Sequence, residues 1–132
     1  KWSEGRVIIA TGSPFPPVKY GNKTFRIGQG NNAYIFPGVG LGVTVGRVRR
    51  VTDGMFLAAA KALSEKVSNE DLEAGAIYPP LKHIRECSHS IACAVIRKAV
   101  EEGHADEEIL EKLEQRVSSA MWYPEYLPIR YE

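Results

Sequence analysis

Two rhythms of apolar residues divide this chain. Between Arg6 and Thr11 the run Val7-Ile8-Ile9-Ala10 is apolar without a break. A near-continuous β-branched run predicts a strand buried on both faces of a parallel sheet. Next, Val18-Lys19-Tyr20 and Lys23-Thr24-Phe25-Arg26-Ile27 flank Gly21-Asn22, the mark of a short surface hairpin. From Pro37 onward the spacing lengthens to that of helices. Gly38, Gly42 and Gly46 share one helical face, and Val39, Leu41, Val43 and Val45 occupy the others. That pattern predicts a helix buried nearly all round, with Pro37 in its first turn. Each glycine costs a helix interior up to about 1 kcal/mol relative to Ala, so a second backbone is expected against this face.

The helical rhythm then holds to the end of the chain. Asp53 is the expected cap of a helix over 55–67, with Phe56, Ala59, Ala60 and Leu63 at helical spacing. Ser68 and Asp71 resemble a capping box with Asp in place of Glu, opening a short helix that Gly75 closes. Ile77-Tyr78-Pro79-Pro80-Leu81 forces an extended segment. A long helix over 82–102 follows, with Ile84, Cys87, Ser88, Ile91, Ala92, Val95 and Ile96 as its apolar stripe and Gly103 at its end. Asp106 is expected to begin one more helix over 107–121, with acids in its first turn and Arg116 near its end. The aromatic, proline-rich tail 122–132 is too apolar to float freely and is expected to dock on its own domain or on a neighbouring subunit.

Composition narrows the class. The 132 residues are 44% apolar and 25% charged, as in a soluble globular domain. The net charge of +1 gives no global electrostatic case for nucleic acid or an anionic membrane, and no apolar run reaches membrane-span length. The charge is uneven: residues 1–50 hold eight Lys or Arg against one Glu, whereas the rest hold nine against fifteen acids. Cys87 and Cys93 lie six apart on different helical faces, which fits two buried thiols in a reducing compartment rather than a disulfide. The chain opens without Met and without a signal pattern. A lone strand cannot make a sheet, so these residues read as a piece of a larger protein.

Candidate chemistry concentrates in one stretch, Gly28-Gln29-Gly30-Asn31-Asn32-Ala33-Tyr34-Ile35-Phe36-Pro37-Gly38-Val39-Gly40-Leu41-Gly42. Gly28 and Gly30 permit backbone conformations that other residues resist. Asn31 and Asn32 each carry an amide donor and acceptor at a helix start, which spacing alone reads first as a plain turn and cap, with a place for an anion as the alternative. Gly12 and Ser13 stand at the end of the predicted strand, where ligands bind in open α/β sheets; a simple turn is the alternative. His83, His89 and His104 lack metal-ligand spacing, Ser13 is not in a nucleophile elbow, and Gly38-x-Gly40-x-Gly42 is not a dinucleotide fingerprint. No complete catalytic set is present in these residues.

Several ordered motifs resemble the C-terminal part of the malic enzymes. They are Gly5-Arg6, Thr11-Gly12-Ser13-Pro14-Phe15, the block Gly28 to Gly38, and Tyr78-Pro79-Pro80-Leu81 followed by Ile84-Arg85. The resemblance covers the whole chain but only about the last quarter of a typical family member. It implies an α/β fold: the mostly helical C-terminal segment of a Rossmann-type multidomain enzyme, with one buried parallel strand, then helices and an extended tail. It divides the chain into the end of a nucleotide-binding domain (1–31), a helical segment completing the catalytic domain (32–103), and a small C-terminal domain with an assembly tail (104–132).

The implied chemistry is oxidative decarboxylation of L-malate to pyruvate and carbon dioxide with NAD or NADP and Mg2+ or Mn2+. The family's catalytic tyrosine and lysine, metal carboxylates and dinucleotide glycines lie upstream of these residues, so the chain alone is expected to be inactive. Asn31 matches the family's malate-binding asparagine, and Asn32 adjoins it. Gly12 and Ser13 would lie by the nicotinamide. The implied partners are malate, pyruvate, the remainder of the same polypeptide and further copies in a homodimer or homotetramer, in the cytosol, mitochondrial matrix or plastid stroma. Nucleic acid and membrane are not among the expected partners. The alternative is a free-standing, non-catalytic helical module for binding or assembly.

Overall fold

The computed structural model describes residues 2–126 and Pro128. Strand β1 (Ala10–Thr11) pairs in parallel with β4 (Gly28–Gln29), in the register Ala10 to Gly28 and Thr11 to Gln29. Between them β2 (Val18–Tyr20) and β3 (Lys23–Phe25) form the expected antiparallel hairpin, with Gly21 at a φ of +60° in its turn. A Gly at the first turn position with positive φ gives the twist that short hairpins favour.

The parallel strand departs from expectation in its surroundings. Val7, Ile8 and Ile9 are extended but exposed, at 49%, 62% and 42%, and regular pairing covers two residues only. The reason is direct: within the described residues β4 is the one strand paired with β1. Among the described residues, no second layer covers the apolar run.

Helices make the core. They are α1 (Phe36–Val45), α2 (Asp53–Ser64), the short α3 (Asn69–Glu73), α4 (Ile84–Glu101) and α5 (Leu113–Ala120). Helix α4 is the central post. One side packs Cys87, Ile91, Val95 and Ala99 against Val39 of α1 and Met55, Ala59 and Leu63 of α2. Its other side packs Ala92, Cys93 and Ile96 against Leu113 and Val117 of α5. Burying each Ile or Val of this set stabilises the fold by roughly 1.5–3 kcal/mol. Cys87 and Cys93 are both buried and free.

The glycine face of α1 does what its spacing predicts. A Cβ on Gly38 would stand 2.7 Å from Ile91, and one on Gly42 would stand 2.9 Å from the Ala92 carbonyl oxygen. Helix α4 therefore approaches α1 too closely for side chains there. The helix is not buried all round, however. Phe36, Gly40 and Thr44, four residues apart in turn, form an exposed line.

Expectations for three helices are corrected. Thr52, not Asp53, caps α2: its hydroxyl accepts from the Met55 N–H at 3.3 Å, and Asp53 is the first helical residue. The helix also stops at Ser64, and it turns Met55 inward while Phe56 and Ala60 stay exposed. The helix expected over 107–121 is two pieces: a 3-10 turn over Glu107–Leu110 and then α5. The break sits at Lys112, whose φ is +54°. It re-aims the chain so that Leu113 and Val117 reach α4. The helix expected to start at residue 82 begins as a 3-10 turn over Leu81–His83 before α4 proper.

The box at Ser68 is present. Its hydroxyl accepts from the Asp71 N–H at 3.1 Å and lies 2.8 Å from the Asp71 carboxylate, and Gly75 ends the segment at a φ of +83°. In the tail, Arg85 donates to the Trp122 carbonyl at 2.9 Å and lies 4.2 Å from the centre of the Tyr123 ring. Trp122, Tyr123 and Tyr126 remain exposed. Residues 127 and 129–132, part of the predicted assembly tail, lie outside the described residues.

Candidate functional site

The parallel pair decides where the candidate residues meet. The Gly28 N–H donates to the Ile9 carbonyl at 3.2 Å and the Gly30 N–H to the Thr11 carbonyl at 2.9 Å. Both strands therefore end on one edge. Gly12 and Ser13 leave β1 there, and Gly30 and Asn31 leave β4 beside them. Gln29 ties the two exits together, its side-chain amide donating to the Gly12 carbonyl at 3.1 Å. The Thr11 hydroxyl donates to the Ser13 carbonyl at 2.8 Å and shapes the turn. The carboxyl edge of parallel strands is the usual ligand edge of α/β sheets.

Asn31 then caps a 3-10 turn over Asn32–Tyr34. It is extended, at φ −116° and ψ 137°, and its side-chain oxygen accepts from the Ala33 N–H at 2.9 Å. That bond uses the amide oxygen as acceptor and leaves the NH2 group with two donors. Asn31 is half-buried and Asn32 exposed. Gly28 and Gly30 do not use the backbone freedom expected of them: neither has a positive φ. A Cβ on either would sit 3.5 Å from the Tyr78 ring, an ordinary contact. Nothing in the structure requires glycine at these two positions.

Asn31 and Asn32 open on a cavity of about 370 Å3, lined also by Gly30, Ile35, Leu63, Ser64 and Tyr78 among others. Among the described residues, no charged side chain lines it. Its polar wall is amide and hydroxyl, so any net charge on an occupant must be balanced by groups from elsewhere. Beside the cavity, Tyr34 is fully buried and stacks on Tyr78, with ring centres 5.7 Å apart and planes 25° from parallel. Burial pushes the Tyr34 hydroxyl above its ordinary pKa, and Cys87 adds to the shift, so the neutral phenol donates to the Pro79 carbonyl.

The candidate residues of sequence reasoning thus lie along one edge, Gly12 and Ser13 at the end of β1 and Asn31 and Asn32 just after β4. Gln29, Tyr34 and Tyr78 were not singled out for the site. Gln29 and Tyr34 sit within the polar block, but their partners lie 17 and 45 residues away, beyond the reach of local spacing. Among the described residues, no group of three or more His, Cys, Asp or Glu side chains is arranged to hold a metal ion. No helix among them is long and apolar enough to cross a membrane.

Comparison with known proteins gives the family. Residues 1–100 match the family model described as malic enzyme, NAD binding domain. The chain is 49% identical over 126 residues to the NADP-dependent malic enzyme of Dictyostelium discoideum, covering 96% of this chain and 23% of that protein. It is 47% identical over 130 residues to NAD-dependent malic enzyme 3 of Bacillus subtilis, covering 98% of this chain and 23% of that protein. It is 51% identical over 130 residues to the chloroplastic NADP-dependent malic enzyme 4 of Arabidopsis thaliana, covering 98% and 20%. The chain spans between a fifth and a quarter of the length of these relatives. With a mostly helical α/β fold, a parallel strand pair and a family match over residues 1–100, the chain belongs to the malic enzyme family.

Proposed function

We propose that these residues are a portion of an enzyme that oxidatively decarboxylates L-malate to pyruvate and carbon dioxide while reducing NAD or NADP. Within it, Asn31 contacts malate, with Asn32 as the adjoining candidate, and Gly12 and Ser13 border the nicotinamide. The observation that carries this reading is the Asn31 amide. Its oxygen is committed to the Ala33 N–H, which leaves the NH2 as donor, and the residue lines a cavity with no charged side chain among the described residues, on the carboxyl edge of a parallel pair. Such an NH2 donates to a carboxylate and orients it without adding charge.

The nucleotide, when bound, supplies the acceptor for the hydride leaving malate. Gly12 suits its neighbourhood because a Cβ there would meet nothing within 4 Å, so the backbone presents an open, flat surface. The ligands of Mg2+ or Mn2+ belong to the remainder of the polypeptide. So do the cations that balance the malate carboxylates, and the chain alone is inactive. We place the division between nucleotide-binding and catalytic domains after residue 31. Residues 104–132 form a small terminal domain whose tail joins subunits of a homodimer or homotetramer. The two buried thiols support a reducing compartment.

The test is kinetic. In a full-length enzyme carrying these residues, Asn31→Ala raises KM for malate and lowers kcat, with KM for the nucleotide nearly unchanged. Unchanged malate kinetics would remove Asn31 from the site. Malate-dependent nucleotide reduction by the isolated 132-residue chain would overturn the placement of the remaining machinery elsewhere.

A further inference from the structure

We infer that Tyr78 is a positioning residue for Asn31, holding the amide at the angle from which it meets substrate. The inference rests on the reading of Asn31 as the malate contact. Tyr78 is 47 residues from Asn31 and no motif links them, yet both chain segments flanking Asn31 rest on its ring. On the N-terminal side, the ring lies along β4: Cδ2 is 3.5 Å from where a Gly28 Cβ would stand, and Cε2 is 3.5 Å from where a Gly30 Cβ would stand. On the C-terminal side, the Asn31 carbonyl accepts from the Tyr34 N–H at 3.0 Å, and the Tyr34 ring stacks on Tyr78. The Tyr34 hydroxyl donates to the carbonyl of Pro79, the residue after Tyr78. The segment carrying Tyr78 and the turn carrying Asn31 are therefore bound to one another through an aromatic pair in which Tyr34 is buried and Tyr78 half-buried. Tyr78 also lines the cavity on which Asn31 opens.

A half-buried amide with one anchored oxygen swings if its backbone shifts, and displacement of a positioning group by about 1 Å costs on the order of a hundredfold in rate. The Tyr34 ring stacks on the face of the Tyr78 ring, so a flat aromatic side chain is what the position needs.

The experiment uses the full-length enzyme with four variants: Asn31→Ala, Tyr78→Ala, Tyr78→Phe and the double variant Asn31→Ala with Tyr78→Ala. Tyr78→Ala is expected to raise KM for malate about tenfold or more, and to leave KM for the nucleotide within about twofold. Tyr78→Phe keeps the ring and behaves as wild type. The double variant is expected to lose no more than Asn31→Ala alone, because Tyr78 acts through Asn31. Losses that multiply in the double variant, or a Tyr78→Phe as impaired as Tyr78→Ala, overturn the inference. So does a normal malate KM in Tyr78→Ala while Asn31→Ala is impaired. Should Tyr78→Ala not fold, Tyr78→Leu takes its place in the cycle, since it keeps apolar volume but no flat face, and the same outcomes apply. A normal malate KM in Asn31→Ala overturns the substrate reading itself, which separates that failure from this one.

Discussion

Arg26 and Asp71, 45 residues apart, form an ion pair in which the Asp71 side chain is only 7% exposed. The pair fastens the end of the hairpin to α3, where the Arg26 N–H also donates to the Ala74 carbonyl at 2.8 Å. Burial pushes the Asp71 carboxyl up, but the Ser68 hydroxyl and the charge and hydrogen bond of Arg26 together outweigh it, and the pKa falls below its ordinary value. A depressed carboxyl pKa contributes stability that is complete above the unfolded value, about 3.9, and is lost as pH falls through the folded value. Asp71→Asn is therefore expected to lower stability by about 2 kcal/mol at neutral pH, with Arg26 partly exposed and its charge partly screened. Urea unfolding at pH 7 and again below pH 4 checks it: the gap between variant and wild type closes in acid. A gap independent of pH would show that the pair is not what holds α3.

The glycine face of α1 gives a prediction of opposite signs on one helix. Gly42→Ala would drive a methyl group to 2.9 Å from a backbone oxygen of α4 that cannot yield cheaply. Overpacking of this kind costs about 1–3 kcal/mol. Gly40→Ala, two residues earlier, points into open space and gains up to about 1 kcal/mol from helix propensity. Thermal unfolding of the two variants should move in opposite directions from wild type.

The cap of α2 is tested by a pair of neighbours. Thr52→Ala loses the bond to the Met55 N–H and the hydroxyl's bond to the Glu102 carboxylate. Its expected cost is about 1 kcal/mol, as for other lost caps. Asp53→Ala removes only a favourable charge in the first turn, worth a few tenths to about 1 kcal/mol. Equal losses in denaturant unfolding would contradict Thr52 as the cap.

These cases show what local spacing carries and what it does not. The Ser68 box, the Gly21-Asn22 hairpin, the α4 stripe and the glycine face of α1 were legible because each depends on residues within a few turns of one another. The candidate site was marked for a different reason: the resemblance pointed to Asn31, and of its two roles only the cap at Ala33 is local geometry. Thr52 was missed because Thr and Asp are both good caps and the choice turns on where the helix begins, one residue's difference. The break at Lys112 was invisible because Glu107 to Arg116 are helix formers throughout. Tertiary packing of Leu113 and Val117 onto α4 overrides that propensity. The exposure of Val7 to Ile9 could not be read either, since a β-branched run states its need for cover but not which part of the protein provides it. Arg26 with Asp71 and Tyr34 with Tyr78 join distant segments, and no periodicity announces them.

The two thiols make a chemical prediction. Burial raises the pKa of both Cys87 and Cys93, so the reactive thiolate is scarce as well as inaccessible. A thiol-specific reagent at pH 8 should leave both unmodified in the native protein and label both in denaturant. Rapid native labelling of either would mean that α4 opens from α1 or α5 without global unfolding.

The last prediction separates the two jobs of Asn31. Its oxygen caps the turn at Ala33, and its NH2 is the proposed donor to malate. Asp is as good a cap as Asn, so Asn31→Asp keeps the bond to the Ala33 N–H and is expected to unfold at the wild-type urea midpoint. It replaces the donor with a carboxylate facing an anion in a cavity that no charged side chain of the described residues lines. Loss of a hydrogen bond to a charged group costs about 1.5–3 kcal/mol, roughly ten- to a hundredfold in affinity, and like-charge repulsion adds to it. In the full-length enzyme, KM for malate should therefore rise further in Asn31→Asp than in Asn31→Ala, although Asn31→Ala is the less stable of the two. Malate kinetics that instead track stability, with Asn31→Asp near wild type and Asn31→Ala impaired, would reduce Asn31 to a cap and nothing more.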